Sequence, residues 1–228
     1  MAATAKTAGR KSSDRQSVRD RIKTLEKFAL ENGAWRAKAF SARKVVIDER
    51  VRLKCQIPMC PHYGSTITCP PNVPEVGEFK KALRLYETAL LIQTRAPLTM
   101  AMDEFDKQQV MAYFAHTTPA AKGGEAGEAD RNIADVKLQA IRLHKLVNEV
   151  ETQALTLGFH YALGLIGGDC MLCHKCAGPG NACRRPFQAR PAMEGVGIDV
   201  VRTAQNAGLA FEIPPKTDVV FSGLILVD

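Results

Sequence analysis

Four cysteines, Cys170, Cys173, Cys176 and Cys183, are separated by two, two and six residues in a stretch that opens Gly167-Gly168-Asp169 and closes Arg184-Arg185-Pro186. Three thiolates on consecutive short arcs can converge while a more distant fourth closes the ring, which is how cysteines hold a cubane iron–sulfur cluster. Structural zinc sites usually set two CxxC arcs about a dozen residues or more apart, so the compact spacing favours iron–sulfur and leaves zinc as the alternative metal. The same residues, Cys170-Met171-Leu172-Cys173-His174, also spell the CxxCH of c-type haem attachment. That chemistry requires export, and the opening residues carry no apolar signal core. It would also leave Cys176 as a reactive thiol beside the haem, so haem attachment is set aside.

Cys55, Cys60 and Cys69 form a second group. Prolines at 58, 61, 70 and 71, with Gly64, forbid continuous helix there and hold the thiols in turns. A cubane on three thiolates leaves one iron open to water, a substrate or a non-cysteine donor, and an open iron can act as a Lewis acid. His62 is near enough to be that donor, although a histidine in a proline-rich turn is more often simply exposed. Arg52, Lys54, Arg184, Arg185 and Arg190 flank the cysteines. Of these, Lys54, Arg184 and Arg190 are the candidate cofactor-binding residues, since positive charge there would offset an anionic cluster or bind an anionic substrate. Asp169, Glu194 and Asp199 could act as acid/base groups, but their positions after Gly-Gly and before a helix fit turn and cap roles better. No phosphate-cradling glycine loop or Ser/His/Asp arrangement occurs.

These loops need a scaffold, and 228 residues with 46% hydrophobic content are enough to bury one. No apolar run approaches the roughly eighteen residues of a membrane span. All seven cysteines fall in the two groups, an odd number without an export signal, so reduced metal-bound thiolates in a cytoplasm are expected rather than disulfides. The net charge of +7 is concentrated between Met1 and Lys27, where eight Lys or Arg face three Asp or Glu. A basic terminus over a nearly neutral body argues against nucleic-acid binding.

Residues 1–16 lack periodicity and read as a disordered basic tail, and residues 17–228 as one domain. Val18, Ile22, Leu25 and Ala29 predict a helix capped by Ser17 and ended by Gly33. One or two strands are expected between Trp35 and Ile47, a helix over Glu78–Tyr86, and a buried strand over Thr88–Thr94. A weak helix over Met102–His116 precedes a surface loop over Thr117–Asp130. Ile133, Val136, Ala140, Leu143, Val147, Val150, Ala154 and Leu157 predict a helix of about twenty-five residues. Its seam permits a coiled-coil homodimer, but packing on the chain's own sheet is the expected use. A strand over Phe159–Ile166 feeds the cysteine quartet, Asp199 opens a short helix stopped near Gly208, and Val219–Val227 closes the chain as a strand. The alternation predicts an α/β fold: a single domain with a mixed β-sheet flanked by helices and cysteine-rich metal-binding loops at the sheet edge.

Arg52-Leu53-Lys54-Cys55, Tyr63-Gly64 followed by Cys69-Pro70-Pro71, the Cys170/Cys173/Cys176/Cys183 loop, Ala189-Arg190-Pro191 with Met193-Glu194, and Gly197-Ile198-Asp199 resemble a bacterial and archaeal family of unknown function labelled as a predicted metal-binding protein. The resemblance covers most of the chain from about Val45 onward, with the loop at Thr117–Asp130 as a local elaboration. It implies bound metal, iron–sulfur in kind, in anaerobic organisms, and offers no reaction. Residues and resemblance together lead to the expectation of two [4Fe–4S] clusters in an electron-transfer or redox-accessory protein. Its partner would be a redox protein or a small anionic substrate. An enzyme using the open iron of the three-cysteine site, or a zinc-stapled binding module, are the alternatives.

Overall fold

The apolar runs read at Thr88–Thr94 and Val219–Val227 pair with each other at the centre of a sheet. They are β2 (Thr88–Pro97) and β4 (Asp218–Val227), antiparallel from Thr88 opposite Val227 to Pro97 opposite Asp218. β1 (Arg36–Ser41) lies outside β2 and β3 (Leu163–Ile166) outside β4, giving the order β1-β2-β4-β3. All three ladders are antiparallel, and the parallel component of the expected mixed sheet is one isolated bridge between Ile166 and Ala192. The computed structural model describes residues 3–99 and 127–228, with side chains from Ser17 onward. The weak helix read over Met102–His116 and most of the loop read over Thr117–Asp130 lie outside the described residues.

Five α-helices occur among the described residues: α1 (Ala3–Glu31), α2 (Glu49–Leu53), α3 (Val76–Leu83), α4 (Glu128–Thr156) and α5 (Val200–Ala207). They cover both faces of the sheet, which is why β2 and β4 read as continuous apolar runs rather than as alternations. Leu90, Ile92, Ile225 and Val227 face one side, against Leu25 and Ala29 of α1 and Leu143, Val147, Val150 and Ala154 of α4. Ala89, Leu91, Leu224 and Leu226 face the other, against Phe79 and Leu83 of α3, Ala204 of α5, and Met193, Val196 and Ile198. The seam of α4 is thus occupied by the chain's own sheet.

Local signals held to different degrees. Gly33 follows α1 at φ 105° and Gly208 ends α5 at φ 76°, both in the left-handed region that glycine tolerates. Asp199 caps α5, its carboxylate accepting from the backbone N–H of Arg202 at 2.9 Å. Ser17 is a correction: α1 continues back to Ala3, so Ser17 lies inside the helix instead of capping it. Val45–Ile47 is another. The edge strand ends at Ser41, Ala42–Lys44 turn as a 3-10 helix, and only Ile47 pairs, bridging to Ile198. No helix of the described residues is long and apolar enough to cross a membrane.

α4 sits unusually close to the sheet because β3 and β4 present bare backbone to it. A Cβ on Gly164 would lie 2.7 Å from one methyl of Val147, and a Cβ on Gly223 2.5 Å from the other. Gly223→Ala is therefore expected to lower stability by roughly 1–3 kcal/mol through overpacking, with part of the loss regained in Gly223→Ala/Val147→Ala. Urea unfolding of the three proteins checks this, and a Gly223→Ala midpoint equal to that of the parent would refute the close seat of α4.

Candidate metal centre

β3, an edge strand, runs out into the quartet through Gly167 and Gly168. The N–H of Gly167 donates to Ser222 O at 2.7 Å, and a Cβ there would lie 2.8 Å from that oxygen, so the approach requires glycine. Gly168, at φ 81°, turns the chain while its N–H donates to both carboxylate oxygens of Glu194 at 3.2 and 3.1 Å. Beyond this turn Cys170, Cys173, Cys176 and Cys183 all line one concavity of about 20 Å³, walled by Thr66, Ile67 and Thr68 and flanked by Arg184 and Arg185. Arg184 closes the loop on itself, its guanidinium donating to Lys175 O at 2.7 Å. The N–H of Arg185 points at Cys183 Sγ, 3.4 Å away.

The way out of the quartet is gripped by α4. His144, Asn148 and Glu151 stand on one face of that helix at spacings of four and three. Arg190 N–H donates to His144 Nε2 at 3.1 Å, Asn148 Nδ2 donates to Gln188 O at 2.5 Å, and the Arg190 guanidinium bonds the Glu151 carboxylate. Arg190 is therefore committed to α4 and lines neither cysteine site. The chain then stitches itself to β3 and to the other cysteine loop. Ile166 N–H donates to Pro191 O at 3.1 Å, Met193 N–H to Ile166 O at 2.7 Å, and Ala192 N–H to Thr68 O at 3.0 Å.

Cys55 follows the end of α2, and a turn from Cys55 O to the N–H of Cys60 (3.0 Å) brings the second thiol round. Gly64, at φ 68°, donates its N–H to Pro70 O at 2.8 Å and folds the loop back, so that Cys69 joins the other two. All three border a cavity of about 420 Å³ with Lys54, His62, Tyr63, Asp169, Glu194 and Asp199, and with Val51, Val200, Val201 and Ile213 as its apolar part. His62 is buried rather than exposed, because Asp169 of the other cysteine loop covers it, Oδ1 lying 3.6 Å from Nε2. Arg52 lines neither site. It is buried against Pro74 O (2.9 Å) and the Glu75 carboxylate (2.7 Å), tying α2 to the start of α3.

The two sites share one wall. Thr68 faces the quartet while Cys69 faces the large cavity, and Asp169 faces the large cavity while Cys170 faces the quartet. All seven cysteines are free thiols. Burial pushes the Cys170 thiol up to about 11 and raises Cys55 and Cys69 as well, with neighbouring Cys60 adding to the first and Asp169 to the second. Burial likewise raises the carboxyl of Glu194. Such thiols stay protonated at neutral pH until a cation takes the place of the proton, so loading releases protons. The donors are soft thiols, which suit iron–sulfur, zinc or copper(I) over hard cations. Among the described residues no three His, Cys, Asp or Glu close on a point that would hold a single ion. The thiols instead surround two volumes.

A family model covers residues 38–227, and the chain belongs to that family, of unknown function and described as a predicted metal-binding protein (DUF2284). No curated protein and no solved structure matches the chain.

Residue spacing identified the cysteines but not their surroundings. The Thr66–Thr68 wall and the clamp of His144, Asn148 and Glu151 were missed, whereas Tyr63, quoted among the motif residues, lines the large cavity. The clamp had a signal: three polar residues at four-and-three spacing beside the apolar seam of α4. Glu194 and Asp169, read as turn residues, border the large cavity, and Asp199 does so as well as capping α5.

His144 gives the clamp a pH dependence. Burial first, and then the charge of Arg190, lowers its pKa from 6.5 to about 4, and its Nε2 accepts a hydrogen bond only when neutral. The unfolded chain binds this proton from about pH 6.5 downward and the folded chain only near pH 4, so stability falls as pH drops through that window. Relative to His144→Gln, the natural protein is expected to lose about 3 kcal/mol between pH 7 and pH 4, read from paired urea midpoints. Parallel stability curves for the two proteins would refute this account.

Proposed function

We propose that the protein binds two iron–sulfur clusters, one on Cys170, Cys173, Cys176 and Cys183 and one on Cys55, Cys60 and Cys69, and works in electron transfer. The supporting observation is the division of seven thiols into four and three on opposite sides of one wall. Clusters so held supply one-electron transfer, and an iron without a thiolate ligand adds a Lewis-acid position. The chain's own part differs between the sites. Around the quartet it offers four thiols and backbone N–H contact at Cys183, in a concavity that a cluster would itself fill. Burial and hydrogen bonds of that kind tune a potential. The sequence neighbours Thr68–Cys69 and Asp169–Cys170 connect the sites through a single peptide bond each, a short path for an electron.

A second reading, an enzyme acting on a small anionic substrate, is favoured by one observation: the three-thiol site opens on about 420 Å³. Lys54 can receive an anionic group there, and the Val200, Val201 and Ile213 surface an apolar body. His62, buried against Asp169, is placed to complete the metal's coordination or to hold a proton beside it. A zinc-stapled module is the remaining metal assignment.

Iron, acid-labile sulfide and zinc per chain, measured on protein purified without oxygen, decide between these. About eight irons and eight sulfides are expected, with two electron paramagnetic resonance signals on reduction, and stoichiometric zinc without sulfide would overturn the proposal. A change in one signal on adding a small exogenous ligand would favour the enzyme. Cys173→Ala is expected to lose about four irons and four sulfides while keeping the other signal. Full retention of iron and sulfide by that variant would sink the ligand assignment.

A further inference from the structure

The two sites differ in what can reach them. The large cavity has space for a small molecule beside its thiols, whereas the quartet's thiols border a far smaller concavity that a cluster would itself fill. Anything the quartet exchanges with its surroundings must therefore come from a molecule that docks outside it. The chain around it has an unusual charge pattern. From Cys170 to Met193 there is no Asp or Glu, and there are four cations: Lys175, Arg184, Arg185 and Arg190. Arg190 is neutralised by Glu151, which leaves Lys175, Arg184 and Arg185 exposed. Arg184 is tied to the backbone at Lys175, donating to its carbonyl, and Arg185 donates through its guanidinium to Gln188 Oε1 at 3.2 Å and through its N–H to Cys183 Sγ. Phe187, two residues after Arg185, is 89% exposed, its carbonyl accepting from Arg190 at 3.2 Å. An exposed aromatic ring and exposed arginines, in a segment without a carboxylate, are residue types that protein interfaces enrich.

We propose that these exposed cations, with the exposed Phe187 of the same segment, form the docking surface for a small acidic electron-carrier protein. The inference rests on the iron–sulfur function proposed above and adds where the partner binds and what charge it carries. One electron leaves the reduced carrier and enters the centre held by the quartet, with no bond made or broken. Charge complementarity selects the carrier and speeds encounter, while Phe187 supplies apolar contact over a small, transient interface.

The test is the affinity of the metal-loaded protein for a purified acidic plant-type ferredoxin, measured by titration calorimetry, with a basic c-type cytochrome as control. The dissociation constant is expected to rise about tenfold or more between about 20 mM and about 500 mM salt. Lys175→Glu should weaken binding by a similar factor at low salt, and Phe187→Ser about fivefold or more at both salts, because it acts through contact rather than charge. Neither residue lines the quartet, so iron, sulfide and resonance signals should stay those of the parent. Salt-independent affinity, equal binding of the basic cytochrome, or unchanged affinity in both variants would overturn the docking surface while the clusters stand. Parent protein without iron and sulfide would overturn both proposals.

Discussion

Three residues, Pro191 to Met193, join the two cysteine loops to the sheet. Their backbone bonds to Ile166 at the end of β3 on one side and to Thr68 of the three-cysteine loop on the other. Met193 itself is fully buried in the core beneath the sheet. Loops made of glycine, proline and cysteine have little apolar surface to bury and cannot order themselves, so their geometry has to be inherited from something stiff. Here the stiffness comes from an edge strand. Its outer side would otherwise present unpaired N–H and C=O groups, and the short stitch to Pro191–Met193 uses them.

The second support comes from the opposite layer. α4 approaches the sheet at the two glycines, Gly164 and Gly223, and the same helix then presents His144, Asn148 and Glu151 to the chain leaving the quartet. Close packing and the polar clamp are thus one mechanical unit: a shift of α4 away from the sheet would move Arg190 and the end of the cysteine loop with it. The cost is two buried polar contacts that must stay paired, among them a histidine that has to remain neutral.

Electrostatics divide the protein into two faces. The large cavity gathers Asp169, Glu194 and Asp199 around three thiols with Lys54 as their counterweight, whereas the quartet side is bordered by cations alone. A buried thiol resists ionisation, so a cation bound at either cysteine group would have to displace its protons. The two sides also differ in volume, about 420 Å³ against about 20 Å³.

Sequence by itself determined what depends on neighbours along the chain. The cysteine spacings, the heptad-like seam of α4, the cap at Asp199, the left-handed stops at Gly33 and Gly208 and the apolar runs of β2 and β4 are all short-range patterns, and they survived folding. The thiol donor set was legible for the same reason. Strand order, the antiparallel ladders and the shared wall were decided only by the tertiary structure, since they join residues far apart in the chain, as in Arg36 with Gln93 and Thr68 with Ala192. The fate of the charged residues was decided there too. Lys54, Arg52, Arg184 and Arg190 look alike beside their cysteines in the sequence, yet only Lys54 and Arg184 line a site. Arg52 and Arg190 are buried or partly buried, and a guanidinium taken from water must find a carboxylate, which for both lies in a distant part of the chain, at Glu75 and Glu151.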